Sequence, residues 1–255
     1  MTQAYGEAFA RVYARRWGGF AREVAPRVLD LYAAWLAGRD PLPVLDLCCG
    51  TGDLAAVALE RGHRVIGVDL SPAMLREASA RNRAAVHAGR ARFVEGDARD
   101  FRLDEPVGLV VSTYDALNHL PDLEALAACF RAVARALVPG GLLVFDLNTR
   151  RGLLERWNGT SATEDDDALV LMRARYDGGP RATAWITGFV RRPDGAYDRF
   201  DEQVSNTLFP TREVADLLRA AGFGEVRFTD GRDLAAPARD PEAEGRVFVV
   251  ATRQA

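Results

Sequence analysis

Cysteine is scarce in this chain, which has three: adjacent Cys48 and Cys49, and a distant Cys129. That is neither a disulfide framework nor a zinc-ligand spacing, and it suits a reducing compartment. Histidine is equally rare at three residues, and no HxxxH or CxxC pattern offers a metal site. Long apolar runs are missing too. Nothing approaches the ~18 uninterrupted apolar residues of a membrane span, and the opening MTQAYGEAFARVYARRW has no continuous apolar core, so a cytoplasmic protein without a membrane partner is expected. Excess charge of either sign is absent. Lys plus Arg total 33 against 36 for Asp plus Glu, and a net charge of -3 gives no long-range pull towards phosphate backbones. Nucleic acid is therefore not an expected partner. What remains is bulk: 255 residues at 48% hydrophobic, enough for one large domain or one domain carrying an insertion.

From residue 43 the sequence alternates short β-rich runs with longer helical ones, the pattern of a parallel sheet crossed over by helices. The expected strands are 43–47, 64–70, 92–96, 107–113 and 141–147. Ser71 and Pro72 open a helical stretch that Gly89 closes, and another runs from Asp122 to Leu137. Ahead of the sheet lie a helix carrying Val28, Leu29, Tyr32 and Trp35 and an N-terminal segment with Tyr5, Phe9, Tyr13 and Trp17. The four-residue spacing puts those rings on one helical face, as core packing or as a lid. After Asn148 the pattern changes to β-like stretches at 168–177, 181–192 and 196–209 separated by Gly-Gly-Pro and Pro-Asp-Gly turns, which reads as an antiparallel insertion. The parallel theme resumes with a helix at 212–221 and strands at 224–229 and 245–252. Residues 1–149 and 208–255 are thus read as one α/β domain, a Rossmann-like, mostly parallel seven-stranded sheet flanked by helices, with 150–207 inserted as a cap over the pocket.

Asp46-Leu-Cys-Cys-Gly50-Thr-Gly52-Asp53 falls where a strand turns into a helix, and its glycines allow a ligand close to bare backbone. Gly50-x-Gly52-x-x-Ala55 also fits a dinucleotide fingerprint, with Asp69 as the following acid. Charge argues otherwise. A pyrophosphate should avoid unpaired carboxylates at Asp46 and Asp53, whereas a ligand carrying a sulfonium and an ammonium is drawn to them. Asp69 and Asp97 end the second and third strands, where they can accept ribose hydroxyls and an adenine amino group; a dinucleotide enzyme has no general use for the latter.

Through VLDLCCGTGDLA, GVDLSPAML, EGDARDF, VGLVVSTYDALNHL and LVPGGLLVFDLNT, in that order, the chain resembles the class I S-adenosylmethionine-dependent methyltransferases over 43–149 and 211–252. The resemblance implies S-adenosyl-L-methionine as cofactor, with Asp46, Gly50 and Gly52 around its methionine moiety, Asp69 on the ribose, Leu70 and Met74 beside the adenine, and Asp97 with Ala98 at its edge. Tyr13, Cys48 and Thr113 complete the expected cofactor wall. The insertion resembles those of the amino-sugar and glycine N-methyltransferases, which often assemble through it, so a homodimer is an expectation as well. An NAD-dependent oxidoreductase and a non-catalytic S-adenosylmethionine-binding protein remain alternatives.

Methyl transfer from a sulfonium is an in-line displacement with an activated leaving group, so alignment supplies roughly 7–11 kcal/mol and a general base only about 10²–10⁴-fold. Tyr114, Asp115, Asn118 and His119 follow the fourth strand, where the family places groups near the transferring methyl. His119 resembles a histidine that serves near the acceptor nitrogen in the sugar N-methyltransferase branch, and a helix cap is the competing role; Tyr114 joins it as a catalytic candidate. Asp115 reads as a cap on the following turn. Trp185, Thr187 and Phe189 alternate onto one strand face and, with Arg151 and Trp157, are the expected substrate cap. The Glu164–Asp167 run reads as a solvated turn. EQVSNTLF (202–209) lacks basic residues, which argues against a carboxylate-bearing acceptor. The expected partner is a small-molecule acceptor of a methyl group at N or O.

Overall fold

A computed structural model describes residues 5–192 and 194–254. The Val- and Leu-rich runs form β1 (Val44–Leu47), β2 (Val65–Asp69), β3 (Ala91–Glu95), β4 (Val107–Ser112) and β5 (Leu137–Asn148). With β10 (Phe223–Thr229) and β11 (Arg246–Arg253) they make a seven-stranded sheet ordered β10-β11-β5-β4-β1-β2-β3. Only β11 runs against its neighbours. The sheet is Rossmann-like and mostly parallel, and strands β1, β4 and the middle of β5 are buried on both faces, which is why they read as apolar runs without alternation.

Helices α2 (Gly19–Leu36) and α3 (Asp53–Glu60) cover one face, whose core holds Val28, Leu29, Tyr32, Leu54 and Val111. On the other, α6 (Leu123–Ala136) and α8 (Thr211–Ala220) bury Leu126, Phe130, Val133 and Leu218 against Phe145 and Val249. Local chemistry sets the helix starts. Ser71 Oγ accepts from the Met74 amide at 3.2 Å and Asp122 Oδ1 from the Ala125 amide at 2.8 Å, each cap worth about 1 kcal/mol. The stretch from Pro72 to Gly89 is not one helix. It breaks into α4 (Pro72–Arg81) and α5 (Arg83–His87) because the buried Asn82 amide donates to the carbonyls of Ala78 (2.9 Å) and Gly52 (3.2 Å), a side chain competing with the helix backbone.

After α7 (Arg150–Arg156) the chain leaves this sheet for a second one, antiparallel, ordered β6 (Gly159–Glu164), β7 (Ala168–Arg175), β8 (Arg181–Arg191) and β9 (Tyr197–Thr207). Strand β6 has no counterpart in the sequence reading: GTSATE is exposed throughout, so no alternation marks it. Strand β8 alternates as expected, but in the opposite sense. Ala182, Ala184, Ile186 and Val190 face inward, whereas Trp185 and Phe189 point outward at 40% and 37% exposure. The wide rings do not cap the pocket, because the inner face of β8 packs in the cluster with α1 (Glu7–Arg16), where Phe9 and Phe200 already fill the space beside it. Phe9, Val12, Met74, Val170, Ile186 and Phe200 form one cluster joining α1, α4 and the insertion.

Candidate active site

The carboxyl ends of β1, β2 and β4 open onto a cavity of about 740 Å³ roofed by α1 and the insertion. At its floor the chain turns sharply after β1, with Cys48, Gly50 and Gly52 at φ 58°, 51° and 72°. Gly50 faces the cavity. Gly52 does not: a Cβ there would stand 2.8 Å from Asn82 Nδ2 and 3.0 Å from the Ala78 side chain, so its bareness lets α3 pack on α4. Asp69 staples the turn to β2, its Oδ2 accepting from the Gly50 amide at 2.8 Å and its Oδ1 from the Ser71 amide at 2.9 Å. Burial raises the Asp69 pKa, and the amides of Ser71, Gly50 and Leu70 restrain the shift.

The other acids depart from their expected roles. Asp46 lies beneath the turn, outside the cavity lining, with the Ala55 amide at 3.2 Å, and burial pushes its pKa up to about 8. It carries little charge at neutral pH. Asp53 is far from unpaired: Arg22 and Arg81 reach its Oδ1 at 2.6 and 3.2 Å, and Thr51 Oγ1 donates to Oδ2 at 2.6 Å. Repulsion of a pyrophosphate by these two groups therefore loses its force. Asp97 does line the cavity, beside Ala98, but its carboxylate is forked by Arg99 at 2.5–3.0 Å, a bond that holds its pKa below the usual range.

Leu70, Met74 and Thr113 line the same wall. Opposite them stands the α1 stripe, where Tyr5, Phe9, Tyr13 and Trp17 stack with centroid spacings of 4.5–6.5 Å. Beyond it, Tyr13 meets Tyr114 edge-on at 6.5 Å. Together, the aromatic wall, the acid at the end of β2 and the turn at Gly50, which has no side chain to keep a ligand away, suit an adenosyl group bearing a cationic sulfur.

After β4 the backbone enters the left-handed region twice, at Tyr114 (φ 67°) and Asp115 (φ 49°), a conformation costing roughly 1–3 kcal/mol per residue. Asp146, fully buried at the end of β5, holds the kink by accepting from the amides of Tyr114 (2.6 Å) and Asp115 (2.9 Å), and Arg246 from β11 bonds it in turn. Asp115 is not a cap. Its carboxylate takes Arg246 Nη2 at 2.7 Å and the Asn206 amide at 2.9 Å, while Arg246 stacks over Phe20 and Tyr114. Asn118 is wholly buried and structural, tying Asn148 to the carbonyl of Thr207. His119 reaches the cavity, and its Nδ1 lies 2.8 Å from the Ser205 carbonyl. A carbonyl only accepts, so Nδ1 bears a proton, and in the neutral ring the lone pair is on Nε2.

Comparison with known proteins fits this geometry. A methyltransferase-domain family profile matches residues 44–141. The dTDP-3-amino-3,4,6-trideoxy-alpha-D-glucopyranose N,N-dimethyltransferase of Streptomyces venezuelae is 31% identical over 227 residues, covering 87% of this chain and 92% of that protein. This chain belongs to the class I S-adenosylmethionine-dependent methyltransferases. The S-adenosylmethionine-dependent methyltransferase of Clostridium acetobutylicum shares the fold at a TM-score of 0.79 and 21% identity, covering 97% of this chain and 98% of that one. The structure of CalS10 from Micromonospora echinaspora, an amino pentose methyltransferase with S-adenosylmethionine bound, superposes at a TM-score of 0.66 and 25% identity over 99% of each chain. The cofactor is S-adenosyl-L-methionine.

The far lobe of the methyltransferase cavity is built by the insertion. Met172, Ala174, Ala184 and Ile186 give it apolar walls, and Trp157 lies at its edge. Arg151 turns away to Glu155 (2.7 Å) and the carbonyl of Ala243. The acidic run 164–167 is exposed as expected, yet tied: Arg16 pairs with Asp165 at 2.6 Å and Arg15 with Asp167 at 3.0 Å, fastening α1 to the insertion. Arg156, Arg181, Asp146 and Arg246 escaped the sequence reading. Only Asp146 left a sign there, as an acid inside the apolar run LLVFDL; the arginines reach the cavity from elements far apart in the chain.

Proposed function

We propose that this methyltransferase transfers the methyl group to a nitrogen or oxygen of a small molecule held between His119, Tyr114 and the insertion. The observation that carries the reading is the contact of His119 Nδ1 with the Ser205 carbonyl at 2.8 Å: with Nδ1 committed there, the neutral ring offers Nε2 as a proton acceptor at the cavity. S-adenosyl-L-methionine supplies an electrophilic methyl on a sulfonium. The protein's part is orientation. Asp69 receives the ribose hydroxyls, Ala98 and Asp97 flank the adenine with Leu70 and Met74, and the Cys48–Gly50 turn meets the methionine end. Tyr13 and Tyr114 close over the reacting centre and exclude water.

A cavity of about 740 Å³ walled by α1 and the insertion supports a small acceptor over a polymer, and the similarity to an amino-sugar N,N-dimethyltransferase favours nitrogen. Incubation with methyl-labelled cofactor and a panel of amines, phenols and carboxylates, read by mass spectrometry, tests this. Label in an amine or hydroxyl product supports it; label only in protein or nucleic acid, or none with any acceptor despite bound S-adenosylhomocysteine, overturns it. We propose too that two copies pair through the outward face of the insertion, where Trp185 and Phe189 are exposed.

A further inference from the structure

Four arginines line the cavity: Arg99, Arg156, Arg181 and Arg246. Two are neutralised in place, Arg99 by Asp97 and Arg246 by Asp115 and Asp146. Arg156, at the end of α7, and Arg181, at the start of β8, form no ion pair among the described residues. Arg156 gives one Nη2 to Asn148 Oδ1 and the Gly245 carbonyl, both at 2.6 Å, and Arg181 gives Nη2 to the Pro121 carbonyl. A guanidinium has five N–H donors in a rigid fork, so most of each fork is left for another partner. The carboxylates in the neighbourhood are already engaged, Glu155 by Arg151 and Asp115 and Asp146 by Arg246.

Arg156 is also held at a cost. The residue as a whole is exposed, but its guanidinium is partly desolvated at the cavity wall, and that desolvation together with the nearby Arg246 charge depresses its pKa. Partial desolvation of a cation beside a like charge is offset when an anion arrives. Arg181 adds a link to the chemistry, because the carbonyl it grips belongs to Pro121, two residues beyond His119.

We propose that Arg156 and Arg181 form an anion subsite in the acceptor lobe, so that the methyl acceptor carries a phosphate or carboxylate group at the end away from its nucleophile. The inference deepens the function proposed above and rests on it. It also reverses the expectation drawn from the stretch 202–209, which lacks basic residues: the positive charge comes from α7 and β8, not from β9.

The test uses the full-length protein saturated with S-adenosylhomocysteine and titrated calorimetrically with inorganic pyrophosphate and with malonate, at constant ionic strength against sodium chloride. Saturable binding of at least one anion is expected, weakened at least about tenfold in Arg181→Ala and in Arg156→Gln, with the affinity for S-adenosylhomocysteine unchanged. Preference for pyrophosphate identifies a phosphate-bearing acceptor, and preference for malonate a carboxylate-bearing one. Arg181 starts a strand at the surface, so its variant stays informative if Arg156→Gln fails to fold. No saturable binding of either anion, or unchanged binding in Arg181→Ala, overturns the subsite while leaving the methyltransferase reading intact; failure to bind S-adenosylhomocysteine would strike that reading instead.

Discussion

Asp46, buried under the glycine turn with one amide for company, holds its proton up to about pH 8 against an ordinary value of 3.8. A folded-state pKa above the unfolded one contributes stability that is complete below about pH 4 and lost as the pH climbs through about 8. The thermal midpoint should therefore fall between about pH 5 and 9, and Asp46→Asn should flatten that slope; parallel slopes in the two proteins would show that Asp46 is not the cause. Asp69→Ala removes the acceptor of two loop amides and, on the proposed assignment, of the ribose hydroxyls. Each bond to a charged group is worth roughly 1.5–3 kcal/mol, so affinity for S-adenosylhomocysteine should drop at least about 100-fold by calorimetry. His119→Gln should leave that affinity alone and slow turnover by about 10²–10⁴-fold once an acceptor is known. An equal loss of binding and turnover would make His119 a structural residue.

Among the elements, the loop after β4 and helix α1 depend on contacts that lie far away in sequence. Two consecutive left-handed residues persist because Asp146 and Arg246 brace them from β5 and β11. Removing one member of a buried ion pair costs about 3–5 kcal/mol, so Asp146→Asn should lower the unfolding free energy by that order in a denaturant titration. A change below about 1 kcal/mol would mean the kink stands unaided. Helix α1 is fastened to the insertion through Arg11–Asp198, Arg15–Asp167 and Arg16–Asp165, at 2.5, 3.0 and 2.6 Å. These pairs are largely exposed and each contributes little, about 0–1 kcal/mol, so the aromatic cluster under α1 carries most of its hold.

At the scale of the whole molecule, the insertion acts in two directions. Its inner face lines part of the cavity, and its outer face leaves Trp185, Phe189 and Leu169 partly open to solvent. If that face pairs two copies, Trp185→Asp should convert a dimer to a monomer in sedimentation equilibrium without altering cofactor affinity; a wild-type monomer at tens of micromolar would rule the pairing out. No helix among the described residues is long and apolar enough to cross a membrane.

Parallel strands and their order of appearance were legible because burial on both faces demands runs of Val, Leu and Ile, and the turn after β1 was legible because its backbone demands glycine. Asp69 could be placed because the crevice of an open parallel sheet lies beyond the carboxyl ends of its strands, where it stands. Period alone, however, cannot say which face of β8 is inside, and Trp185 and Phe189 fell on the outer one. Nor can it say whether an acid is free, and Asp46, Asp53 and Asp115 proved respectively desolvated, ion-paired and braced. Local chemistry thus determined most of the elements and the turn after β1, since those follow from neighbours along the chain. Only the tertiary structure decided which charges remain unspent, because pairing across the fold brings Arg246 to Asp115 and leaves Arg156 and Arg181 facing the cavity.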